Sequence, residues 1–214
     1  LIYRGNKMIN WDPQAKTAIS DEEVIYKEQD SNLYYIDYQL TNCDKMITIA
    51  TTRPETILGD TAICVHPQDS RYKDLIGEKV FVPLVNREIP IISDEYIDKD
   101  FGTGALKVTP AHDINDYMIG EKNNLDIICV IDENGCIDTE GQLYIGEDRF
   151  SVRKKIINDI KKIGQLHKVE LIKNKVGFSE RTDVVIEPRL STQWFMKMKK
   201  MAEPALINVL NNNI

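Results

Sequence analysis

The sequence lacks long hydrophobic runs, and it contains little cysteine and few positive charges. No apolar run in its 214 residues approaches the roughly 20 residues that a membrane-spanning helix needs, so we expect no membrane association. Its 4 cysteines form no CxxC pair, which argues against a disulfide framework and favours a reducing, cytoplasmic location. The 34 acidic and 27 basic side chains give a net charge of -7. Any contact with nucleic acid therefore requires a local basic patch.

Several enzyme motifs are also missing. There is no GxGxxG or GxxxxGK[ST] loop for nucleotide phosphates, and no serine lies in a GxSxG turn. The three histidines form neither HxxxH nor HExxH, so no metal site is predicted. His112 and Asp113 leave open a metal-dependent phosphohydrolase, although that chemistry needs further ligands on a helical bundle. The sequence does not begin with Met and has no signal pattern, so we expect a segment of a longer protein.

Short β-rich runs separated by turn residues make up much of the sequence. Residues 46–52 alternate between apolar and polar side chains, as in a half-buried strand. Further β-rich runs cover residues 61–65, 79–85, 89–92, 104–109 and 127–131. Helices are predicted at 113–123 and at about 147–163. The pattern favours an α+β, mainly β fold, with a closed or partly open β-barrel and inserted helices.

The second predicted helix carries a basic face. Its members are Arg149, Arg153, Lys154, Lys155, Lys161 and Lys162. A solvated helix face is the favoured interpretation, and a surface that contacts RNA is the alternative.

A polar segment at residues 51–56 directly follows the first predicted strand. Pro54 interrupts the strand pairing. Arg53 offers a planar fork of five donors that suits carboxylate, phosphate or carbonyl oxygens. The threonines alone are ordinary strand residues, but beside Arg53 they indicate a possible site.

A second polar segment spans residues 101–116. Lys107 and Thr109 should share one face of its strand, and Asp113 and Asp116 fall in the first turn of the following helix. The structural alternative is a helix cap formed by Asp113 with Asp116 at the third position. Polar groups at the ends of neighbouring strands nevertheless favour a functional site.

These segments resemble the editing insertion of class I aminoacyl-tRNA synthetases, in its valyl form. The resemblance rests on residues 50–62 (ATTRPETILGDTA) and 101–117, and it continues through 179–182, 185–191 and 193–195. The HIGH and KMSKS signatures of the aminoacylation site are absent. The resemblance therefore implies an editing domain with its connecting stem. It implies no cofactor in this segment, since ATP and Mg²⁺ belong to the catalytic core of the parent enzyme.

The resemblance also implies a division into three parts. Residues 1–34 would form the outgoing arm of a β-ribbon stem, 35–167 the editing barrel, and 168–214 the return arm and C-terminal tail. Relatives often carry cysteine pairs in this stem, whereas Asp12 and Ala15 stand at such positions here. No structural zinc is therefore expected.

The function implied by the resemblance is post-transfer editing, the hydrolysis of threonine mischarged onto tRNA(Val). Valyl enzymes are a known case in which a hydrophobic pocket cannot strongly reject threonine, so a second site must remove it. The implied partners are the threonine-bearing acceptor end of tRNA(Val) and, in cis, the rest of the synthetase. A non-catalytic insert that binds RNA and positions the acceptor end is the alternative.

The resemblance assigns a role to each candidate residue. Asp116 would bind the substrate α-ammonium, and Asp113 would orient water or only cap the helix. Lys107 and Thr109 would lie near the threonine side chain and the ester oxygens. The remaining substrate-binding candidates are Thr56 in the hydroxyl-reading pocket, Arg53 at the substrate or terminal adenosine, Phe101 as an apolar wall for the base, and Thr52.

Overall fold

Ten strands, three α-helices and four 3₁₀ helices form the secondary structure of residues 1–213, the part of the chain that the computed structural model describes. The strands are β1 Ile2–Asp12, β2 Thr17–Ile19, β3 Val24–Gln39, β4 Met46–Thr51, β5 Ala62–Val65, β6 Lys79–Phe81, β7 Glu88–Ser93, β8 Ala105–Val108, β9 Leu166–Ser179 and β10 Glu187–Met196. The helices are α1 Ile114–Asn123, α2 Arg149–Lys162 and α3 Lys199–Leu210. The predicted α+β, mainly β class is confirmed. No helix within residues 1–213 is long and apolar enough to cross a membrane.

The strands form three sheets, with strand orders β10–β1–β2, β4–β3–β9 and β6–β7–β5–β8. All neighbouring strands are antiparallel except β5 and β7, which are parallel. Within residues 1–213 none of the sheets closes on itself, so the predicted closed or partly open barrel is not confirmed. A single isolated bridge between Leu40 and Val80 joins the second and third sheets. The short strands at the edges of the third sheet leave too little ladder to complete a ring.

Two long antiparallel pairings bring the two ends of the chain together. β1 pairs with β10 from Ile2↔Met196 to Trp11↔Glu187. β3 pairs with β9 along most of its length, from Val24↔Ser179 to Ile36↔Leu166. Because these pairings join distant parts of the sequence, residues near 30 lie directly beside residues near 174 in the sheet β4–β3–β9.

The main hydrophobic core lies between the second and third sheets and one face of α2. Alternate residues of β3 and β4 point into it, among them Tyr38 and Ile49. β5 is buried along its whole length, and Val152, Ile156 and Ile160 of α2 complete the core. This packing fixes β5 and its neighbour β8, from which the candidate site is built.

Close packing at Gly59 should make this position intolerant of a larger residue. A Cβ atom there would lie 2.8 Å from the carbonyl oxygen of Ile128, and 3.2 Å from side-chain carbons of Thr109 and Val130. Since overpacking of this kind costs about 1–3 kcal/mol, Gly59→Ala should lower the free energy of unfolding by that amount in urea titrations. The control is Gly5→Ala, where the nearest atom, at 3.3 Å, belongs to the half-buried side chain of Tyr3 and not to the backbone. Equal stabilities for the two variants would contradict the packing described for Gly59.

Candidate active site

A cavity of about 580 Å³ lies between the end of β4, the strand β8 and the start of α1. All eight residues proposed from the sequence line it: Thr52, Arg53, Thr56, Phe101, Lys107, Thr109, Asp113 and Asp116. Leu33 of β3 and Ile172 and Asn174 of β9 also contribute to the wall. The sequence analysis missed these three, because their position depends on the pairing of β3 with β9.

The segment after β4 is held in a tight turn by its own threonines. The backbone N–H of Arg53 donates to Oγ1 of Thr51 at 3.0 Å. The hydroxyl of Thr56 donates to the carbonyl oxygen of Arg53 at 2.9 Å. Pro54 begins a 3₁₀ helix, Pro54–Gly59, whose residues are all buried. Thr56 therefore faces the cavity from a rigid, buried turn, with its own hydrogen already engaged.

A buried polar cluster joins Lys107 and Thr109, which line the cavity, to Tyr38 and Asp60, which lie behind its wall. Lys107 Nζ lies 3.1 Å from Asp60 Oδ1, and the hydroxyl of Thr109 donates to the same oxygen at 2.5 Å. Lys107 Nζ also donates to Thr109 Oγ1. The hydroxyl of Tyr38 donates to Asp60 Oδ2 at 2.6 Å. Four groups, two from the strands β3 and β8 and two from the segments before β5 and after β8, therefore form one connected network.

Asp60 is the central member of this cluster, and the sequence analysis did not single it out. Its side chain is fully buried. Desolvation raises the pKa of Asp60, while the Lys107 ammonium and the two hydroxyl donors favour its charged form. The available signal was a carboxylate at the end of an otherwise apolar run, between Gly59 and Thr61.

Asp113 and Asp116 occupy different environments although they are three residues apart. Asp113 is exposed and is the N-cap of α1, where Oδ1 accepts hydrogen bonds from the backbone N–H groups of Asn115 and Asp116. Asp116 is 6% exposed, and its Oδ2 accepts a 2.8 Å hydrogen bond from the backbone N–H of Thr109. Desolvation raises the pKa of Asp116 to about 7, with a further increase from Asp113 and an opposing effect of Lys107. A cation beside Asp116 would therefore relieve an incompletely compensated buried carboxylate.

Most N–H donors of the Arg53 guanidinium group are bonded to other groups of the protein, although the sequence predicted that they would face a ligand. Its guanidinium donates to the carbonyl oxygen of His112 at 3.0 Å and to Oε1 of Glu187, and Nε lies 3.3 Å from Glu55 Oε1. Glu187 also accepts a 2.9 Å hydrogen bond from Arg149. Desolvation acts to raise the pKa of Glu187, but Arg53, His112 and Arg149 together lower it to about 2. Arg53 therefore fixes the cavity wall and keeps two of its five N–H donors without a partner among residues 1–213.

His112 does not have the geometry of a metal ligand. It is almost fully buried, and its Nε2 accepts a 2.9 Å hydrogen bond from the backbone N–H of Val130. Burial lowers the pKa of His112. Within residues 1–213 there is no group of three or more His, Cys, Asp or Glu side chains that could hold a metal ion. The geometry therefore gives no support to a phosphohydrolase site built around His112 and Asp113.

Some side chains on the predicted basic face of α2 form ion pairs within the protein, and others face solvent. Arg149 is buried against Glu187, and Arg153 makes two hydrogen bonds, of 2.8 and 2.7 Å, to the buried carboxylate of Glu55. Phe150 packs under both arginines, with guanidinium carbons 4.8 and 5.2 Å from its ring centroid. This end of α2 lines a second cleft, of about 930 Å³, which shares Thr52, Arg53, Asp113 and Asn174 with the first cavity.

Known proteins resemble the chain over its whole length. Residues 1–214 match the family described as tRNA synthetases class I (I, L, M and V). The chain is 58% identical over 214 residues to a valine–tRNA ligase of Parabacteroides distasonis, and 57% identical over 215 residues to one of Porphyromonas gingivalis. Both alignments cover 100% of this chain and 24% of the relative. The chain therefore spans about a quarter of the length of these curated relatives.

A solved structure supports the fold. It is the ternary complex of Agrobacterium radiobacter K84 agnB2 LeuRS with tRNA and LeuAMS, which matches 88% of this chain and 31% of that chain. The TM-score is 0.51 and the sequence identity is 16%. At this identity the likeness concerns the backbone arrangement and not the side chains of the cavity.

Burial of Asp116 should make stability depend on pH in a way that an amide would remove. Its folded-state pKa of about 7 exceeds the unfolded value of about 3.9, so the folded state binds the extra proton between these pH values. Stability from this group is therefore greatest below pH 4 and is lost as the pH rises to 7. Asp116→Asn should then raise the free energy of unfolding by about 2–4 kcal/mol at pH 8, and by less at pH 5.

Urea titrations at the two pH values test this prediction. Asp113→Asn is the matched control, because its side chain is exposed and asparagine is also a good N-cap. It should leave stability nearly unchanged at both pH values. A gain for Asp116→Asn that is the same at pH 5 and pH 8 would show that desolvation does not raise the pKa of this carboxyl.

Proposed function

Since the chain belongs to the class I tRNA synthetases of the isoleucyl, leucyl, methionyl and valyl group, we propose that it is the editing segment of a valyl-tRNA synthetase. In this proposal it hydrolyses the ester that joins threonine to the terminal adenosine of tRNA(Val). The observation that carries the proposal is the position of Asp116, a buried carboxylate with a single backbone donor, in one cavity with a hydroxyl and an ammonium group.

The substrate α-ammonium is the cation that Asp116 binds in this proposal. A carboxylate whose pKa is raised to about 7 by burial gains strongly from an opposite charge in direct contact, because nearby cations favour its ionised form. Every aminoacyl ester carries this ammonium, so the contact positions the ester without selecting the side chain.

Lys107 and Thr109 read the side chain of the substrate. A threonine hydroxyl can exchange hydrogen bonds with them, whereas a valine methyl leaves buried polar groups unpaired at a cost of about 1–3 kcal/mol. This cost would make hydrolysis of Val-tRNA(Val) roughly 5- to 150-fold less efficient than hydrolysis of Thr-tRNA(Val). Thr52, which follows β4, and Thr56, in the 3₁₀ helix Pro54–Gly59, also line the cavity.

Hydrolysis in this cavity needs no covalent nucleophile. Water attacks the ester carbonyl carbon, the bond to the ribose oxygen breaks, and that oxygen takes up the proton from the water. Because the ester is already activated, holding it and a water molecule in a fixed geometry supplies much of the rate. Asp113, exposed at the cavity wall, can orient the water while it caps α1.

The terminal adenosine lies at the open side of the cavity in this proposal. Phe101 is 74% exposed there and offers its ring to the base. Arg53 also lines this cavity and has two donors left for the adenosine. The nucleotide before the adenosine then enters the second cleft, where Phe150 is 36% exposed between two arginines. Stacking of a base on an aromatic ring contributes about 1–3 kcal/mol.

The rest of the synthetase is the proposed partner in cis. Helix α3 has no buried residue, and its exposed apolar side chains include Met201, Leu206 and Leu210. We assign residues 1–34 and 168–214 to the stem and tail, and 35–167 to the editing domain. ATP and Mg²⁺ are used outside this segment, in a cytoplasmic enzyme.

Replacing Asp116 should separate editing from aminoacylation in the intact synthetase. Asp116→Ala removes the partner of the ammonium, and loss of one member of a buried charge pair costs at least about 2 kcal/mol. The kcat/KM for deacylation of Thr-tRNA(Val) should therefore fall about 30-fold or more, while valylation is unchanged and Thr-tRNA(Val) accumulates. Asp94→Ala, at a buried carboxylate that pairs with Lys122 outside the cavity, is the control. Acceptor-end binding by the unaltered protein without hydrolysis would favour the non-catalytic insert instead.

Replacing Phe150 should have an effect that depends on substrate length. Phe150→Ala removes the proposed stacking surface, so deacylation of Thr-tRNA(Val) should slow about 5- to 100-fold. Hydrolysis of 3′-threonyl-adenosine, which has no preceding nucleotide, should remain unchanged. Equal losses with both substrates would place the effect of Phe150 in the cavity itself and remove the second cleft from the tRNA path.

A further inference from the structure

The hydrogen bonds around Asp60 determine which atoms of Lys107 and Thr109 remain free. Thr109 has one hydroxyl hydrogen and two acceptor sites. It gives the hydrogen to Asp60 Oδ1 at 2.5 Å and accepts from Lys107. Lys107 has three N–H groups and uses two of them, on Asp60 and Thr109. One acceptor site of Thr109 and one N–H of Lys107 are left for a ligand.

We propose that Asp60, held by Tyr38, is a positioning residue that leaves an acceptor site on Thr109 and a donor on Lys107 free for the ligand. This arrangement makes the cavity selective for an alcohol. A hydroxyl both donates and accepts, so one substrate hydroxyl can satisfy Thr109 and Lys107 together. A methyl group satisfies neither. The inference depends on the proposed editing function and assigns its selectivity to two residues behind the cavity wall.

Tyr38 is needed because it holds the side chain of Asp60 in place and favours its ionised form. Its hydroxyl donates to Oδ2 at 2.6 Å, on the side away from Thr109 and Lys107. Both residues are fully buried, so water cannot replace either contact. An ionised carboxylate can only accept hydrogen bonds, so the hydroxyl hydrogen of Thr109 points to Oδ1 of Asp60 rather than into the cavity.

Asp60→Asn in the intact synthetase tests the assignment. Tyr38 still donates, so it selects the amide oxygen and turns the amide NH₂ toward Thr109 and Lys107. The hydroxyl hydrogen of Thr109 is then released toward the cavity, and its acceptor site is lost. We expect the ratio of kcat/KM for Thr-tRNA(Val) to that for Val-tRNA(Val) to fall about 5- to 150-fold, chiefly through the threonyl substrate.

The double variant Tyr38→Phe with Asp60→Asn distinguishes an effect of hydrogen-bond direction at Thr109 and Lys107 from simple structural damage. Without the tyrosine hydroxyl, the amide can rotate and present its oxygen to Thr109 and Lys107. The ratio should therefore recover partly relative to Asp60→Asn alone. If the cluster only supports the fold, the double variant should be worse than either single variant, and that result would overturn the proposal.

The matched control is Asp94→Asn, the same substitution at a buried carboxylate that pairs with Lys122 at 2.7 Å outside the cavity. It should leave the ratio unchanged. If Asp60→Asn keeps a ratio within about twofold of the unaltered enzyme, the positioning role is wrong even though editing stands. If the unaltered enzyme does not hydrolyse Thr-tRNA(Val), the proposed function itself fails.

Tyr38→Phe alone provides the test if Asp60→Asn does not fold. It leaves both cavity contacts of Asp60 in place but removes the anchor at Oδ2. The expected loss in the ratio is about 2- to 5-fold, smaller than for Asp60→Asn because Asp60 keeps its contacts with Thr109 and Lys107, and hydrolysis of Val-tRNA(Val) should be unchanged. An unaltered ratio in this variant would overturn the role of Tyr38 and, with it, the proposal.

Discussion

The cost of burying a carboxylate governs the arrangement around the cavity, because an uncompensated buried charge is strongly destabilising. Three carboxylates here are surrounded by donors. Glu55 is paired with two arginines, Glu187 with two arginines, and Asp60 with an ammonium and two hydroxyls. Asp116 is different, since within residues 1–213 its side chain accepts only one backbone hydrogen bond. Among these four buried carboxylates, the incompletely compensated one is therefore also the one that lines the cavity.

Compensation of the other charges joins segments that are far apart in the sequence. Arg53 follows β4, Arg149 begins α2, and Glu187 begins β10, yet the three side chains meet in one network. Because β10 pairs with β1, this network also connects the cavity wall to the ribbon at the chain ends. In the proposed function, that connection gives the cavity a fixed position relative to the stem through which the segment joins the rest of the synthetase.

Local signals predicted the parts of the site that depend on a single element. Alternation placed Lys107 and Thr109 on one face of β8, and the spacing of Asp113 predicted the cap of α1 that the structure contains. Asp60 and Tyr38 were not predicted, because they are 22 residues apart and only tertiary packing brings them together. The expected strand at 127–131 is absent except for a bridge at Ile131. Val130 is buried there, and its backbone N–H donates to His112. The apolar residues of this run therefore pack in the core and do not form a paired strand. Which strands meet between different sheets is likewise not encoded locally, so strand spacing alone could not establish a closed or partly open barrel, and that prediction is not confirmed.

In the proposed function, different groups bind the substrate ester and select its side chain. The α-ammonium is common to all aminoacyl esters, so the contact with Asp116 holds correct and incorrect esters equally and cannot distinguish them. Selection must come from a group that meets only the side chain. Thr109 and Lys107 are such groups, and their free acceptor and donor match a hydroxyl because Asp60 engages the other sites. Since Asp60 and Tyr38 lie behind the wall, selectivity can change without any change in the residues that touch the substrate. This separation lets one cavity hold an ester firmly and still release the correct product unhydrolysed.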